Sequence, residues 1–319
     1  MKILVTGASG FIGRSLLLRI PKDWEIVAAY LSDASFLDFI EERDLNHVTP
    51  LRIDLSDVGS LTQVTDFFKS YDACVYLAAN GDPAYSEKAP IEDLKSNTCA
   101  LLNTVQSWTF GNFLYFSSGA VYDGLRGDVN PQSALAPCLP YGISKWEAEQ
   151  NLLDIAKTTK MEIVILRAPL VYGPGVKGNF YSLLKLVKSG IVLPFGSIKN
   201  NRSLLFVGNF ADAITTAANH PNAGNKTFFV SDDNNISTPE LVDKITLAMG
   251  KKSRIFKLPI RLLKIIGFFI GRSAAIRRLT GSLTVDINHI KTHLSWHPPF
   301  SIEDGLKETA DWFVRNFSK

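Results

Sequence analysis

Cysteine is scarce in this chain of 319 residues: only three are present, and none belongs to a C-x-x-C pair. An odd number of cysteines without that spacing predicts neither a disulfide framework nor a zinc site, and it fits a reducing compartment. Three histidines do recur at intervals of four, His289, His293 and His297. Because Trp296 and two prolines follow closely, one helix cannot carry all three, and we expect no metal site.

Long hydrophobic runs and strong charge are also lacking. The apolar run at the N-terminus is too short for a signal peptide and ends in glycines, so we expect a cytoplasmic protein. A longer apolar run, 258–270, is still too short to span a bilayer and contains Arg261 and Lys264. The formal net charge of +3 is too small to indicate nucleic-acid binding. The length itself predicts about two domains.

The rest of the chain is organised around residues 2–14, KILVTGASGFIGR. A short apolar run predicts a buried strand, a glycine-rich turn follows, and an amphipathic run then begins. This order is typical of a dinucleotide-binding unit, in which the free N–H groups at the helix start face a pyrophosphate. We expect the cofactor to contact this turn and helix start: Gly7, Gly10, Phe11, Ile12, Gly13 and Arg14.

Strand-like and helix-like runs alternate along the first half of the chain. The predicted strands are Lys2–Thr6, Glu25–Tyr30, 48–53, 73–79, 112–117 and 162–167. Predicted helical runs between them include 61–69 and 91–108. The alternation predicts an α/β fold, a Rossmann doubly wound parallel sheet with helices on both faces.

The end of the second strand is where such a fold reads the adenosine ribose, with Asp or Glu accepting a hydrogen bond from the 2′-hydroxyl in NAD-selective proteins. Here that stretch reads Tyr30, Leu31 and Ser32. Since no carboxylate would repel a 2′-phosphate and Arg14 could bind one, we expect NAD(P) and favour NADP(H). The alternative is that Arg14 is a solvated helix residue.

Two later strand ends complete the expected cofactor site. Asp54, followed by Leu55, can accept a hydrogen bond from the adenine amino group. Leu77, Ala78 and Ala79 end the fourth strand, and the two small residues allow the backbone to approach the cofactor closely.

Three polar side chains are candidates for an acid–base site. The fifth strand delivers Ser118 to the sheet edge where open α/β sheets bind ligands. Tyr141 and Lys145 open a helical run, 141–159, and lie on one of its faces. A cation beside a phenol lowers a pKa that is ordinarily about 10. Tyr141 would then exchange a proton with a substrate while a hydride moves to or from nicotinamide, although such a pair alone is common on solvated helices.

With TGASGFIG, Asp54-Leu55, Leu77-Ala78-Ala79, SSGAVY and YGISK in this order, the sequence resembles the extended short-chain dehydrogenase/reductase family, particularly its sugar-nucleotide branch. The resemblance covers nearly the whole chain.

The resemblance implies a catalytic triad of Ser118, Tyr141 and Lys145, in which Lys145 also bonds the nicotinamide ribose. It places Asn97 near the family's helix asparagine, as a cofactor contact. It further implies a homodimer formed through the runs 91–108 and 141–159.

The regular alternation stops at the glycine- and proline-rich stretch APLVYGPG, after the sixth strand. This stretch resembles the crossover to the family's smaller, discontinuous C-terminal α/β substrate domain. We expect a cofactor domain at 1–167 with about 204–231, and a substrate domain at 168–203 and 232–319.

Expected substrate contacts follow from the same resemblance. Asn179 and Arg202 match positions that contact the nucleoside diphosphate, and Arg278 or Arg277 would be a second pyrophosphate arginine. Ser118 would hold the reacting sugar oxygen. The alternative for Arg202 is an arginine at the protein surface without a ligand.

Segment 251–291 holds ten Lys or Arg and a single acidic residue, Asp286. A basic amphipathic helix within 258–278 could make weak peripheral contact with an anionic membrane. The interpretation we favour is a helix packed on the core, with cations that border a diphosphate site. The stretch 278–286 and the later LSWHPP resemble the tail of bacterial enzymes that finish deoxy or N-acetyl sugar nucleotides for surface polysaccharides.

Dehydratases of the family follow the Ser or Thr with an Asp-Glu pair, whereas Gly119 and Ala120 stand here, so dehydration is disfavoured. Two reactions at C4 of a nucleotide-diphosphate sugar remain. We favour reduction of a 4-keto sugar by NAD(P)H over 4-epimerisation by tightly held NAD+, because of the missing carboxylate and the tail. A non-catalytic dinucleotide sensor is a third hypothesis, against which the intact triad speaks.

Overall fold

The computed structural model describes residues 1–62, 70–108, 110–124, 127–129, 132–269 and 271–317. The strands are β1 Lys2–Thr6, β2 Glu25–Tyr30, β3 Val48–Arg52, β4 Ala73–Tyr76, β5 Phe110–Ser118, β6 Gly127–Val129, β7 Lys160–Ala168, β8 Leu170–Tyr172, β9 Arg202–Phe206, β10 Lys226–Phe229, β11 Asn235–Ile236 and β12 Leu283–Val285. The helices are α1 Phe11–Leu17, α2 Ser35–Glu42, α3 Val58–Thr62, α4 Pro83–Lys88, α5 Pro90–Leu94, α6 Ala100–Ser107, α7 Pro140–Ala156, α8 Gly178–Lys188, α9 Val207–Asn219, α10 Thr238–Ala248, α11 Ile260–Phe269, α12 Ser273–Thr280, α13 Asn288–Leu294 and α14 Ile302–Phe317.

Seven parallel strands form the first sheet in the order β10-β7-β5-β4-β1-β2-β3. The chain runs outward from β1 to β3 and then returns to the other side of β1 with β4. Strand order therefore reverses between β1 and β4, and ligands of open α/β sheets bind beyond the strand ends at such a point. The predicted Rossmann fold is confirmed.

Helices cover both faces of this sheet, which explains why its central strands, β1, β2 and β4, are almost entirely buried. Ile3 and Val5 of β1 belong to a core that includes Leu16 of α1 and Phe210 of α9. Leu4, which points the other way, packs in a second core with residues of α6 and α7.

The observed elements differ from the predicted ones at a few boundaries. Strand β4 ends at Tyr76, so the following residues form a turn instead of its last pairs. The run 91–108 is not one helix, because the π-helical turn Lys95–Cys99 separates α5 from α6. Of the predicted helix 61–69, the first two residues lie in α3, and 63–69 are outside the described residues.

A second sheet, in the order β11-β9-β12-β6 with β8 beside β9, belongs to the smaller part of the molecule. Its core contains Leu184 of α8, Phe206 of β9, Ile245 of α10 and Leu306 of α14. Strand β10, by contrast, pairs with β7 in the first sheet. The chain thus crosses into the smaller part, returns and crosses again, while the exact domain limits stay a prediction.

Helix α11 is only partly packed on the core. Only Leu263 and Gly267 are buried, and a Cβ atom on Gly267 would stand 2.5 Å from the Ile276 side chain of α12. Leu263 belongs to the core of the smaller part, so the helix packs on the core along one side as predicted, but most of its surface is exposed. Among the described residues, no helix is both long and apolar enough to cross a membrane.

Candidate active site

The glycine turn after β1 is held against the end of β4. Gly7 has φ of +63°, and a Cβ atom there would stand 2.7 Å from the backbone nitrogen of Ala78. A Cβ atom on Gly13 would stand 2.5 Å from the carbonyl oxygen of Gly7. The Thr6 hydroxyl also accepts from the backbone N–H groups of Leu77 and Ala78, at 3.1 and 3.2 Å. Only glycine therefore allows this close approach of turn, helix and strand end.

The same turn fits the pyrophosphate of a dinucleotide. Helix α1 begins after Gly10, and no side chain accepts a hydrogen bond from its first backbone N–H groups, those of Phe11 and Ile12. A loop from the smaller part reaches this point, because a Cβ atom on Gly175 would stand 3.4 Å from the Phe11 ring. Ala79 is exposed just beyond β4. The predicted cofactor residues of β1, α1 and β4 are thus brought to one edge of the sheet.

Arg14 forms an ion pair within the protein. Its guanidinium donates to the Asp33 carboxylate and to the Ser35 hydroxyl, each at 2.9 Å, and lies 4.7 Å from the centre of the Phe39 ring. Hydrogen bonds from Ser35 and Arg14 hold the pKa of Asp33 below its usual value. The sequence analysis considered residues 30–32 and missed this carboxylate, which lies one residue further along. The premise of a free arginine without an opposing carboxylate is therefore wrong.

Asp54 and Leu55 follow β3 as predicted. The Asp54 carboxylate is half-buried, and its Oδ1 accepts from the backbone N–H and the hydroxyl of Ser56, at 2.9 and 2.6 Å. Leu55 is buried in the core beneath it. The carboxylate is thus fixed by a local turn, at the same edge of the sheet as the glycine turn.

Ser118 and Tyr141 lie close together at the end of β5. The Ser118 hydroxyl accepts from the backbone N–H of Ala120 at 3.1 Å, and its proximity to the phenol lowers the pKa of Tyr141. Gly142 permits this contact, since a Cβ atom there would overlap the carbonyl oxygen of Ala120. The structure therefore brings these two predicted catalytic side chains together.

The prediction that Lys145 lowers the pKa of Tyr141 is wrong. Burial raises the pKa of Tyr141 to about 12, and the neighbouring Ser118 hydroxyl only partly opposes this effect. The Lys145 ammonium donates to the carbonyl oxygen of Phe116 at 3.0 Å and lies 4.9 Å from the centre of the Tyr115 ring. Burial lowers the pKa of Lys145 to about 8, against the nearby carboxylates of Asp93 and Glu149, which raise it.

Beneath this pair lies a buried polar network that the sequence did not reveal. The Asp93 carboxylate is fully buried and accepts four hydrogen bonds, from Asn80, Ser86, Asn97 and Ser144, at 2.6 to 3.0 Å. Ser144 stands between the catalytic residues on α7. The network therefore ties α7 to α5 and to the loop after β4.

Asn97 belongs to this network. Its Oδ1 accepts from the backbone N–H of Asn80 at 2.7 Å, and its Nδ2 donates to Asp93 at 3.0 Å. The side chain is fully buried within the π-helical turn. Asn97 therefore positions the loop after β4, and its role as a direct cofactor contact stays a prediction.

The expected diphosphate residues lie in the smaller part. Arg202 at the start of β9 donates to the carbonyl oxygen of Arg278 at 2.5 Å, and burial together with the Arg278 charge lowers the pKa of Arg202. Within the described part of the chain, neither arginine forms an ion pair. Asn179 is exposed in the first turn of α8. The two arginines form a cationic pair that an anion would stabilise.

The positions that would distinguish a dehydratase carry no acid. Gly119 and Ala120 follow Ser118 within the 3₁₀ turn Gly119–Tyr122. No group of three or more His, Cys, Asp or Glu that could hold a metal ion occurs among the residues that the structure describes.

Comparisons with known proteins agree with this geometry. Residues 3–231 match the NAD dependent epimerase/dehydratase family. The chain is 37% identical to UDP-glucose 4-epimerase from Vibrio cholerae, over 98% of this chain and 95% of that protein. It is 24% identical to N-acetyl-alpha-D-glucosaminyl-diphospho-ditrans,octacis-undecaprenol 4-epimerase from Escherichia coli O157:H7, over 97% and 94% of the two chains.

A solved structure supports the fold. UDP-glucuronic acid 4-epimerase from Bacillus cereus, in complex with NAD, superimposes with a TM-score of 0.80 at 21% identity, over 100% of this chain and 98% of that one. The family match over most of the chain, together with the glycine turn and the Ser118–Tyr141 pair, identifies this protein as a member of the NAD-dependent epimerase/dehydratase family.

Proposed function

We propose that the protein is an NAD-dependent 4-epimerase of a nucleotide-diphosphate sugar. The observation that carries the proposal is the 37% identity, over nearly the full length of both chains, with a UDP-glucose 4-epimerase. The 4-ketoreductase that the sequence analysis put first has no comparable support.

We propose NAD over NADP(H) as the cofactor. The Asp33 carboxylate is ionised and forms an ion pair with the Arg14 guanidinium at 2.9 Å. A 2′-phosphate placed here would meet this carboxylate and would have to displace it from Arg14. Acid release of the dinucleotide from the purified protein followed by mass spectrometry tests the proposal. We expect NAD, and recovery of NADP would contradict it.

The chain's residues would act on the C4 oxygen of the sugar. Tyr141, whose pKa of about 12 keeps it protonated in the protein alone, would act as a phenolate beside bound NAD+. It would take the proton of the C4 hydroxyl as the hydride leaves C4, and return that proton to the C4 carbonyl oxygen when the hydride comes back. The Ser118 hydroxyl, beside the Tyr141 phenol, would orient the same oxygen by a hydrogen bond. Bound NAD+ would supply the hydride acceptor and a positive charge that favours the phenolate. Asn179, Arg202 and Arg278 would hold the diphosphate during the reaction.

Product analysis separates the candidate activities. Purified protein is incubated with UDP-glucose, and separately with UDP-N-acetylglucosamine, without added reductant, and the sugars are identified by NMR. We expect interconversion with the C4 epimer. Conversion that requires NADPH and a 4-keto sugar would indicate a reductase instead, and cofactor binding without either reaction would indicate a sensor.

A second candidate is the same epimerisation on a polyprenyl-diphosphate N-acetylhexosamine. The full-length similarity to the Escherichia coli enzyme and the exposed basic helix α11 favour this candidate. Parallel assays with a polyprenyl-linked sugar in detergent and with the matching UDP-sugar would distinguish the two substrates.

We also expect a homodimer, from the family resemblance, and analytical ultracentrifugation would test it.

A further inference from the structure

Helix α11 carries an apolar stripe that faces solvent. Its members are Leu262, Ile265, Ile266 and Phe269, which recur with the i, i+3, i+4, i+7 spacing of a single helix face. Their exposed fractions are 47%, 52%, 47% and 81%. Globular domains rarely expose apolar residues in such a continuous patch unless it binds something.

The stripe is not the face by which α11 joins the protein. That contact is made by Leu263 and Gly267, which lie beside the stripe on the helix surface, on the side that meets α12. The apolar surface of the helix is therefore wider than the side that the fold uses.

Positive charge surrounds the stripe. Residues 251–278 hold nine of the chain's 34 Lys and Arg and none of its 31 Asp and Glu. Arg261 and Lys264 lie on α11 and Arg272 just after it; all three are exposed, and none forms an ion pair within the part of the chain that the structure describes. The cations are thus available to anions outside the protein.

We propose that α11 lies flat in the headgroup region of an anionic lipid bilayer, with the stripe inserted among the acyl chains and the surrounding cations on lipid phosphates. An apolar stripe flanked by Lys and Arg fits this partner. A second copy of the chain would bring like charges face to face, which opposes association. The proposal goes beyond the proposed reaction, because it requires no turnover.

Vesicle flotation tests the proposal on the full chain. One set of vesicles contains phosphatidylcholine alone, and the other contains equal parts of phosphatidylcholine and phosphatidylglycerol. We expect the unaltered protein to float only with the anionic vesicles. The double variant Ile265→Ser with Phe269→Ser, and the charge variant Arg261→Gln with Lys264→Gln, should each partition about tenfold less.

The control is Leu37→Ser with Val58→Ser, which removes two exposed apolar side chains, 47% and 55% exposed, from the other part of the molecule. This control should float like the unaltered protein. Failure of the unaltered protein to float, equal flotation of all variants, or loss of a dimer in light scattering on changing the stripe without any vesicle binding would each overturn the proposal. Epimerisation of a UDP-sugar by the stripe variant reports separately on the proposed function.

Discussion

The part of the molecule built on the seven-stranded sheet and the smaller part differ in how their arginines are paired. In the first, the half-buried Arg14 pairs with Asp33, the buried Arg167 pairs with Glu149, and the buried Asp93 carboxylate accepts four hydrogen bonds. In the smaller part, Arg202 and Arg278 stand together, and α11 exposes further cations, without ion pairs among the described residues.

This contrast indicates which part is complete before ligands bind. A fully hydrogen-bonded network fixes α7 and holds the catalytic side chains in place at no further ordering cost. Neighbouring cations repel, so the smaller part gains stability when an anion arrives.

Replacing Tyr141 with Phe should have the largest effect. The change removes the phenol beside Ser118, and loss of an acid–base group typically lowers kcat by about 10²–10⁴-fold. Tyr115→Phe is the matched control, because its buried hydroxyl has no hydrogen-bond partner among the described residues and the ring beside Lys145 is retained. Steady-state turnover of a UDP-sugar measures both. Full turnover by Tyr141→Phe would remove this residue from the mechanism.

Asp93→Asn should disrupt the buried network. Three donors share Oδ1 and the Ser144 hydroxyl donates to Oδ2, whereas an amide keeps one acceptor oxygen and carries no charge, so the bonds on Oδ1 weaken and the Ser144 hydroxyl must reverse its hydrogen bond. We expect the free energy of unfolding in urea to fall by about 2–4 kcal/mol.

The neighbouring Glu92→Gln is the control for Asp93→Asn. Glu92 is 56% exposed and pairs only with Lys95, so its loss should cost less than about 1 kcal/mol. Similar losses in the two variants would show that the network contributes little.

Lys145→Met should change how stability depends on pH. The folded-state pKa of about 8 lies below the ordinary 10.5, so the unfolded chain binds more protons between these values and stability rises with pH. Between neutral pH and about pH 9.5 this rise is about 2 kcal/mol, and Lys145→Met should abolish it. Exposed Lys157→Met should retain the rise. Urea unfolding at several pH values measures the slope, and an unchanged slope in Lys145→Met would contradict the assignment.

Local patterns were enough to predict the first sheet and the glycine turn, whereas grouping Ser118 with Tyr141 also needed the family resemblance. Periodicity and glycine spacing act over a few residues, and the end of each parallel strand lies at the same sheet edge. The first two strands, Lys2–Thr6 and Glu25–Tyr30, have the predicted boundaries for this reason.

The features that were missed depend on contacts distant in sequence. Asp93 reads as an ordinary helix carboxylate next to Glu92, and only the π-helical turn after α5 and the approach of α7 bury it. The pKa of Tyr141 is set by burial, which spacing on a helix does not report. The face of α11 that meets solvent depends likewise on where α12 packs.

Arg202→Met tests the ligand-dependent part and should have the smallest effect of the four. Removing one of two adjacent cations loses a charge-assisted contact with the diphosphate, so KM for a UDP-sugar should rise about tenfold while dinucleotide binding is unchanged. The protein itself should lose little stability, because Arg202 has no carboxylate partner among the described residues and its removal relieves repulsion by Arg278. Arg315→Met, on the exposed side of α14, is the matched control and should leave KM unchanged. A large loss of stability with no change in KM would mean that Arg202 serves the fold, and the contrast between the two parts would then fail.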